Sequence, residues 1–316
     1  MNVKQKNRLT AFVAVALVGV GGAALLNASQ AATPFVAAEP ETAAIAVPAA
    51  SMADTTASGG RAVRFNQATG TFQSNCIIKP SACGYPDETN TGVPSGTTLT
   101  NSGSITVTVA GTVISNMNIN GQIIIKANNV TIRNTRITSG AYYPVDYRDP
   151  YTGLVVEDTE IIGTSVNVTA ALSFRGYTAR RVNVHGSADG LKVDANVTIE
   201  DSYIHDLATN STTHNDGFQT TGGSNVTLRH NTCKLSTMPT ANACIQVGTE
   251  WASNSNWLVA NNLFDGGGWT INARAGNTDM TVTNNRFTRN ASYGTGGIPG
   301  STWTGNYFDD NGAAAN

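Results

Sequence analysis

Charged side chains are scarce in this sequence of 316 residues. Asp, Glu, Lys and Arg together make up 13% of the chain, against roughly 25% in a typical globular protein. This scarcity excludes a helical protein covered with surface ion pairs. The formal net charge is −2, so the chain also lacks the basic surplus of a nucleic-acid-binding domain, and we expect no nucleic-acid partner.

Long hydrophobic runs are absent except near the N-terminus. A basic stretch from Lys4 to Arg8 precedes an apolar run from Ala11 to Leu26. This order predicts a signal peptide at residues 1–31. Because no second run of spanning length follows, we expect a secreted, extracellular protein that has no membrane contact after processing.

The domain organisation follows from composition. Residues 32–60 are rich in Ala, Pro, Thr and Ser and lack large apolar side chains. Such a segment cannot bury enough apolar surface to offset its ordering entropy, which predicts a disordered linker or propeptide. Residues 61–316 have a length suited to one domain, and we expect a monomer.

Cysteine is limited to four residues, which form two local pairs. Cys76 lies near Cys83, and Cys233 lies near Cys244. In an exported chain, such local pairs predict disulfides. Neither pair has the Cys-x-x-Cys spacing of a structural zinc site.

Asn, Thr, Gly and Ser replace the missing charges, and they occur in a repeat. Each copy has an apolar residue, then any residue, then usually Asn, Asp or Gly, then two further residues and a second apolar residue. Neighbouring copies begin 18 to 31 residues apart, which is the range of one coil of a β-solenoid. The copies begin at Ile114, Ile132, Val156, Ile199, Leu228, Val259, Val282 and Trp303, with a degenerate copy at 179–184.

The repeat predicts short strands joined by sharp bends. Apolar residues alternate before the bends, as in Val130-Thr-Ile132, and β-branched residues are common, which favours strands. Asn at a bend tolerates a left-handed backbone and can hydrogen-bond to the next coil. We predict an all-β, single-stranded, right-handed parallel β-helix of about nine or ten coils, each with three strands. A β-sandwich or propeller is the alternative, disfavoured because blade motifs are missing.

Three stretches resemble secreted bacterial members of the pectate-lyase-like superfamily of right-handed parallel β-helix proteins. They are Gly84-Tyr-Pro-Asp-Glu-Thr-Asn-Thr-Gly-Val-Pro94, Asp189-Gly-Leu-Lys192 and His214-Asn-Asp-Gly-Phe-Gln219. The resemblance covers the chain from about residue 75 to its end and implies the same fold. Because this superfamily contains lyases, hydrolases and proteins with no assigned activity, the chemistry must be argued from the residues.

Alignment of the strands by their inward apolar residues predicts a functional face. The first outward row contains Ser173, Lys192, Gln219, Gln246 and Thr270, and the second contains Arg175, Asp194, Thr221, Gly248 and Asn272. Asp189-Gly190 and Asp216-Gly217 precede two of these strands, and we expect the glycines to leave room for a ligand. Arg148, His185 and His214 are expected near the same face.

β-Elimination on a uronic-acid polysaccharide is the first reaction that this face predicts. A base removes the proton next to a carboxylate while another group neutralises that carboxylate. The hypothesis assigns Lys192 as the base, Arg175 or Arg148 as the carboxylate-binding group, and Tyr147 or His214 as the donor to the leaving oxygen.

The remaining predicted roles concern binding. The predicted substrate-binding residues are Arg148, Gln219, Gln246, Asp194 and Trp251, and the predicted partner is an acidic polysaccharide such as alginate, pectate or glucuronan. Asp189 and Asp216 could instead hold a Ca²⁺ that neutralises the carboxylate. The resemblance implies Lys or Arg chemistry with or without calcium, although the signature sequences of pectate lyases are missing.

Two other functions stay open at the level of sequence. Asp189 and Asp216 could serve as acid and base of an inverting glycoside hydrolase, which needs carboxyl groups roughly 6.5 to 9.5 Å apart. The adjacent aspartates and mid-chain Gly-His-Gly of polygalacturonases are missing. A non-catalytic carbohydrate-binding protein is the third possibility. Among the other side chains, His205 and His230 are predicted as turn or ladder residues, and Trp269 as a core residue.

Overall fold

The computed structural model describes residues 49–53, 61–65, 72–238 and 240–315. The chain divides into two units, residues 1–71 and 72–316. In the first unit, strand β1 (Ala49–Ala53) pairs antiparallel with strand β2 (Arg61–Phe65). Strand β1 lies within the predicted linker and β2 at the start of the predicted domain. The predicted domain bounds stay predictions. The predicted signal peptide lies outside the described residues and stays a prediction.

The larger unit is a parallel β-helix with three sheets, whose strands are numbered in chain order. Sheet 1 contains β4 (Ile105–Val107), β7 (Ile123–Ile125), β10 (Val145–Tyr147), β13 (Ala170–Leu172), β16 (Asp189–Lys192), β19 (Asn215–Thr220), β22 (Ala241–Val247), β25 (Trp269–Ala273) and β28 (Gly294–Gly297). Sheet 2 contains β5 (Val113–Ser115), β8 (Thr131–Arg133), β11 (Leu154–Glu157), β14 (Tyr177–Arg180), β17 (Val197–Glu200), β20 (Ser224–Arg229), β23 (Ser255–Ala260), β26 (Thr278–Thr283) and β29 (Thr302–Thr304). Sheet 3 contains β3 (Thr100–Ser102), β6 (Met117–Asn120), β9 (Arg136–Ser139), β12 (Glu160–Gly163), β15 (Asn183–His185), β18 (Tyr203–His205), β21 (Thr232–Lys234), β24 (Leu263–Asp265), β27 (Arg286–Phe287) and β30 (Tyr307–Phe308).

Each coil passes through sheet 1, sheet 2 and sheet 3 in turn, so every strand pairs with the strand three places later. Sheets 1 and 2 have nine strands each and sheet 3 has ten. All pairings within the three sheets are parallel, as a coil that always turns in one direction requires. The predicted all-β solenoid with three strands per coil and nine or ten coils is confirmed.

The bends between sheets 2 and 3 have the left-handed backbone that the repeat predicts. Each bend contains one or two residues, of which one has a positive φ. The bend residues with positive φ are Asn116, Asn134, Asp158, Arg181, Asp201, His230, Asn261, Asn284 and Gly305. Asn and Gly tolerate this conformation more readily than other residues do, which explains the composition of the repeat.

A ladder of buried asparagines follows directly after these bends. The backbone N–H of Asn231 donates to Asn262 Oδ1 at 2.8 Å, and that of Asn262 donates to Asn285 Oδ1 at 2.9 Å. The backbone N–H of Asn285 donates in the same way to Asn306 Oδ1. The side-chain amides of these asparagines donate to carbonyls at the end of sheet 2, such as Leu228 O. Each asparagine thereby pairs backbone groups that the bend would otherwise leave unsatisfied.

The interior of the β-helix is a continuous apolar core built from the inward positions of the three sheets. Aliphatic side chains predominate toward the N-terminal coils, and Phe264, Phe287 and Trp257 fill the C-terminal coils. Trp257 is buried, and its Nε1 donates to Gly223 O at 3.0 Å. Because stacked coils bury one another's apolar faces, no single coil is expected to be stable alone.

The segment before the first coil, residues 72–95, packs along sheet 3, and we call it the strap. It contains two short 3₁₀ helices, Cys76–Ile78 and Pro80–Cys83. The strap begins at the last coil, where Cys76 N donates to Asp309 Oδ1, and Gly92 N donates to Arg181 O further back. This placement accounts for the Gly84–Pro94 motif as a structural element, in which Asp87 accepts hydrogen bonds from Ser81 and Thr89.

Both predicted disulfides are formed. Cys76 bonds to Cys83 within the strap, and Cys233 bonds to Cys244 between sheets 3 and 1. In the part of the chain that the structure describes, no helix is long and apolar enough to cross a membrane.

Candidate functional site

The outward row of sheet 1 is the centre of the candidate site, and its register is given by backbone pairing. Lys192 pairs with Gln219, Gln219 with Gln246, and Gln246 with Asn272. On the N-terminal side, Asp146 occupies the same row, two strands before Lys192. Lys192 is the one cation in this described row, and its neighbours on the C-terminal side are all amides.

The structure departs from the predicted outward row at two positions. Thr270 is fully buried, and Asn272 takes its place in the row, because Ile271 and not Trp269 pairs with the inward Ile245. Trp269 is 41% exposed, so its predicted core position is wrong. Ser173 is also buried, where its hydroxyl oxygen accepts a hydrogen bond from the backbone N–H of Tyr147.

Lys192 is held in an ion pair within its own strand. Its Nζ donates to Asp189 Oδ2 at 2.8 Å, and it also donates to Gln219 Oε1 in the next coil. The other oxygen of Asp189 accepts the backbone N–H of Asp216 at 3.0 Å. Both oxygens of Asp189 are thus satisfied by donors, which orients the ammonium toward the amide row.

Asp216 lies behind the row and not at its surface. Its Oδ2 accepts from Gln219 Nε2, and its Oδ1 accepts from Asn242 Nδ2, both at 2.8 Å. The residue is 0% exposed. Burial, followed by repulsion from Asp189, raises the pKa of the Asp216 carboxyl well above its ordinary value. Asp216 therefore has no cation partner and a raised pKa, whereas Asp189 is paired with the ammonium of Lys192.

Asn242 is a site residue that the sequence reasoning missed. The register between β19 and β22 shifts after Asn215, so that Asp216 pairs with Ala243 and Asn242 is left unpaired in a bulge. The extra residue directs its side chain toward Asp216 and Gln246. The sequence signal for this bulge is the length of the strand, because β22 has one more residue before Ile245 than β19 has before Phe218.

The glycines of the two Asp-Gly turns serve packing and not ligand access. A Cβ on Gly190 would lie 2.3 Å from the carbonyl oxygen of Gly217 and 2.8 Å from Ile204. A Cβ on Gly217 would lie 2.6 Å from Cys233 Sγ. The prediction that these glycines leave room for a ligand is wrong, because the neighbouring coil and the core fill that space.

Cations and aromatic rings lie on the N-terminal side of the row. Arg148 Nε binds Asp146 Oδ1 at 2.6 Å, and its guanidinium lies over the rings of Tyr143 (5.4 Å) and Phe174 (5.6 Å). Burial raises the pKa of Tyr143 to about 12. Phe174 directly follows Ser173 of the predicted outward row and has a φ of 103°. This backbone conformation costs a bulky residue about 1–3 kcal/mol.

A cleft of about 320 Å³ adjoins this group and is lined by Lys126, Asp146, Arg148 and Asp149. Arg175 reaches toward the same side, with Nη1 3.7 Å from Asp149 Oδ2. The side chain of Arg148 is 56% exposed and that of Arg175 is 50% exposed. They are therefore available to bind an anionic group from solvent.

Two predicted site residues do not face a ligand. Tyr147 is buried, and its hydroxyl donates to Tyr151 O at 2.9 Å, so the predicted role as donor to a leaving oxygen is wrong. Asp194 is also buried and accepts from Thr220 Oγ1 and the backbone N–H of Thr221. Its predicted role in substrate binding is wrong, because both donors belong to the bend that it stabilises.

His214 and Trp251 lie on loops at opposite ends of the sheet 1 strands. His214 is exposed and directly precedes β19. Trp251 is 85% exposed, on the loop after β22, next to the ion pair of Glu250 with Arg274. Their roles in catalysis and substrate binding stay predictions.

The other histidines lie on the strap side, away from sheet 1. His230 makes a bend and stacks on Tyr85. His185 Nε2 lies 3.3 Å from Glu160 Oε1, and the hydrogen bond from His185 is the largest cause that lowers the pKa of Glu160 to about 2. Burial lowers the pKa of His205, which stacks on Tyr203. These contacts stabilise sheet 3.

The donor set at the two Asp-Gly turns does not suit the predicted calcium ion. Calcium takes six to eight oxygen ligands, usually with several carboxylates. Here the oxygens of Asp189 accept from Lys192 and a backbone amide, and those of Asp216 accept from two side-chain amides. Across the described residues, no group of three or more His, Cys, Asp or Glu side chains is arranged to hold a metal.

Comparison with known proteins supports the fold and leaves the chemistry open. The family described as "Right handed beta helix region" matches residues 166–316, a span that includes β16, β19, β22 and β25 of the candidate site. With three parallel sheets, this match confirms a right-handed parallel β-helix. No curated protein and no solved structure matches the chain. Domains of this kind occur in polysaccharide lyases, hydrolases and binding proteins.

Proposed function

We propose that this protein is a polysaccharide lyase that cleaves a uronic-acid-containing polymer by β-elimination on the outer face of sheet 1. The observation that carries the proposal is the position of Lys192. It is the one cation in the described outward row, it keeps 9% of its surface open, and amides of Gln219, Gln246 and Asn272 continue the row. Amides suit sugar hydroxyls, because each offers both donors and an acceptor.

The proposed reaction moves one proton and breaks one carbon–oxygen bond. Lys192, as the free amine, takes the proton from the carbon that bears the carboxylate. The bond from the adjacent carbon to the departing chain breaks, its electrons leave on oxygen, and a carbon–carbon double bond forms. The leaving oxygen takes a proton from solvent. Because Nζ donates to Asp189 and Gln219 in the resting site, Lys192 must first release its extra proton to solvent.

The arginines are proposed to bind carboxylates. Arg175 follows β13, the strand next to β16, and we assign it the neutralisation of the carboxylate at the reacting sugar. Arg148 lies two strands from Lys192, roughly 10 Å along the sheet, and would bind a carboxylate on a neighbouring sugar. Asp146 and the rings of Tyr143 and Phe174 hold this guanidinium in place.

Inverting hydrolysis is the second candidate, and one observation favours it. Burial and repulsion from Asp189 raise the pKa of Asp216, while Asp189 is ion-paired with Lys192, and an acid and a base require two carboxyl groups in such different environments. Against it, Asp216 is 0% exposed, and both of its oxygens are covered by the amides of Gln219 and Asn242. A general acid must contact the leaving oxygen, so elimination is the better fit.

We also propose that the mature protein is secreted and acts as a monomer on an acidic polysaccharide. The two disulfides, Cys76–Cys83 and Cys233–Cys244, support an extracellular location, since such bonds persist in oxidising compartments.

A product screen tests the function. The protein is incubated with alginate, polygalacturonate, glucuronan and hyaluronan, each with added Ca²⁺ and with a chelator. Ultraviolet absorbance from an unsaturated uronate, in at least one polymer, is the expected result. New reducing ends without this absorbance would replace elimination by hydrolysis, and retention on the polymer without either product would leave binding alone. Equal rates in the calcium and chelator arms would remove the calcium hypothesis.

A further inference from the structure

Two exposed aromatic side chains lie on the outer face of sheet 1, on the C-terminal side of Lys192. Trp269 opens β25 and pairs with Gly294 of β28, and Tyr293 directly precedes β28. The indole is 41% exposed and Tyr293 is 70% exposed. Contiguous exposed apolar surface on a soluble domain often marks an interaction site, whereas isolated apolar side chains do not.

The two rings form an angled pair over a strand that has almost no side chains. Their centroids are 5.6 Å apart and their planes meet at 44°. Trp269 pairs with Gly294 of β28, and a Cβ on Gly294 would lie 3.7 Å from the indole ring. The strand reads Gly-Thr-Gly-Gly, so the indole packs on backbone and keeps an open outer face.

The pair lies at a defined distance from Lys192. Strands β16, β19, β22 and β25 are consecutive in sheet 1, and three strand spacings correspond to roughly 14 Å across the strands. Trp269 also lies three residues before Asn272, which is in line with Lys192, an offset of roughly 10 Å along the strand. The strands between the two points carry the outward amides of Gln219 and Gln246. One strand spacing is similar to the length of one pyranose residue in a polysaccharide chain.

We propose that Trp269 and Tyr293 form a platform that binds a pyranose ring about three sugar residues away from the one at Lys192. The apolar C–H face of a pyranose stacks on an aromatic ring, and the amides between the platform and Lys192 match the intervening hydroxyls. The inference rests on the proposed function for the identity of the sugar, an acidic polysaccharide. It adds that the site recognises an extended segment lying across the strands.

A consequence is that affinity depends on the length of the bound chain. A sugar segment must span from Lys192 to Trp269 to contact both, so a trimer cannot use the platform when its reacting bond lies at Lys192. A hexamer can. Removal of the indole therefore weakens binding of the hexamer and leaves that of the trimer unchanged.

Binding measurements with variants test this inference. The wild type, Trp269→Ala, Trp269→Phe and Tyr293→Ala are compared by affinity electrophoresis in gels that contain alginate, polygalacturonate or glucuronan. Ile78→Ala, which alters an exposed apolar side chain on the strap, is the control. Calorimetric titration with uronate trimers and hexamers from the retained polymer follows, and melting curves verify folding. We expect Trp269→Ala to weaken hexamer binding about tenfold, Trp269→Phe to weaken it less, and Ile78→Ala to match the wild type.

The outcomes separate this inference from the proposed function. Loss of retention in Trp269→Ala supports the platform whether or not the wild type cleaves these polymers. Absence of cleavage by the wild type would overturn the proposed lyase activity and not the platform. Equal retention of the wild type and Trp269→Ala overturns the platform even if an unsaturated product forms. Equal loss of trimer and hexamer binding in Trp269→Ala also overturns it, because the effect would then not depend on reach.

Discussion

Asp189 and Asp216 occupy equivalent positions in neighbouring coils but differ in their partners, a lysine for Asp189 and side-chain amides for Asp216. The backbone N–H of Asp216 donates to Asp189 Oδ1, while Lys192 binds Asp189 Oδ2. The Asp216 carboxyl is surrounded by amides and has no cation in contact. The repeated Asp-Gly motif therefore supplies one carboxyl group that orients the lysine and one that lies beneath the amide row.

The first prediction concerns Asp216 and the pH dependence of stability. Its folded pKa lies above the unfolded value, so between these two values the folded state binds more protons than the unfolded state. Stability from this group falls as pH rises from about 4 toward the folded pKa, by at most about 1.4 kcal/mol per pH unit. Asp216→Asn removes this term.

Urea unfolding of the wild type and Asp216→Asn at pH values from 4 to 8 provides the measurement. The variant should gain stability relative to the wild type with each increase in pH. Parallel curves for the two proteins would show that Asp216 is ionised in the folded state.

The second prediction concerns Gly190. Alanine at this position brings a Cβ to 2.3 Å from Gly217 O and to 2.8 Å from Ile204, and neither contact can relax without moving a coil. We expect Gly190→Ala to lower the free energy of unfolding by about 3 kcal/mol. Gly103→Ala is the matched control, since a Cβ there meets nothing within 4 Å. Equal melting temperatures for the two variants would contradict the packing role assigned to Gly190.

The third prediction separates the bend from the ladder. Asn261 makes the bend with a φ of 56°, whereas the buried Asn262 pairs backbone groups of adjacent coils. Asn261→Gly should change stability little, because glycine adopts this φ freely. Asn262→Ala should cost about 3 kcal/mol, since it leaves several buried groups unpaired. Thermal unfolding of both variants measures the two losses of stability. A larger loss in Asn261→Gly than in Asn262→Ala would contradict the roles assigned to the bend and the ladder.

The fold was predictable because its signals are local and repeated. Asn134, Asp158 and Asn284 mark bends in the sequence, and each has the expected left-handed backbone. The pairing of cysteines was predictable for the same reason, since each pair is close in sequence.

The site was predictable only in part, because it depends on register. The predicted register agrees with the structure from Lys192 to Gln246, where similar motifs repeat. It failed at β25, where Trp269 resembles a core residue in sequence but lies outside, because the glycines of β28 leave space for it. Burial of Tyr147 and Asp194 depends on neighbouring coils that no local pattern encodes.

The central claim is that Lys192 is the base of an elimination reaction. Lys192→Ala removes Nζ and should reduce the rate of unsaturated-uronate formation by a factor of about 100 or more, the range of one general base. Lys192 lies outside the apolar core, so the fold should persist, but loss of the cation beside the buried Asp189 should lower the melting temperature. Lys79→Ala, which removes an exposed lysine of the strap, is the matched control and should retain the wild-type rate.

The most direct measurement is therefore the initial rate of ultraviolet absorbance increase for the wild type, Lys192→Ala and Lys79→Ala on the polymer that the screen identifies. The account predicts loss of the signal in Lys192→Ala alone, with all three proteins melting cooperatively. An unchanged rate in folded Lys192→Ala would contradict it.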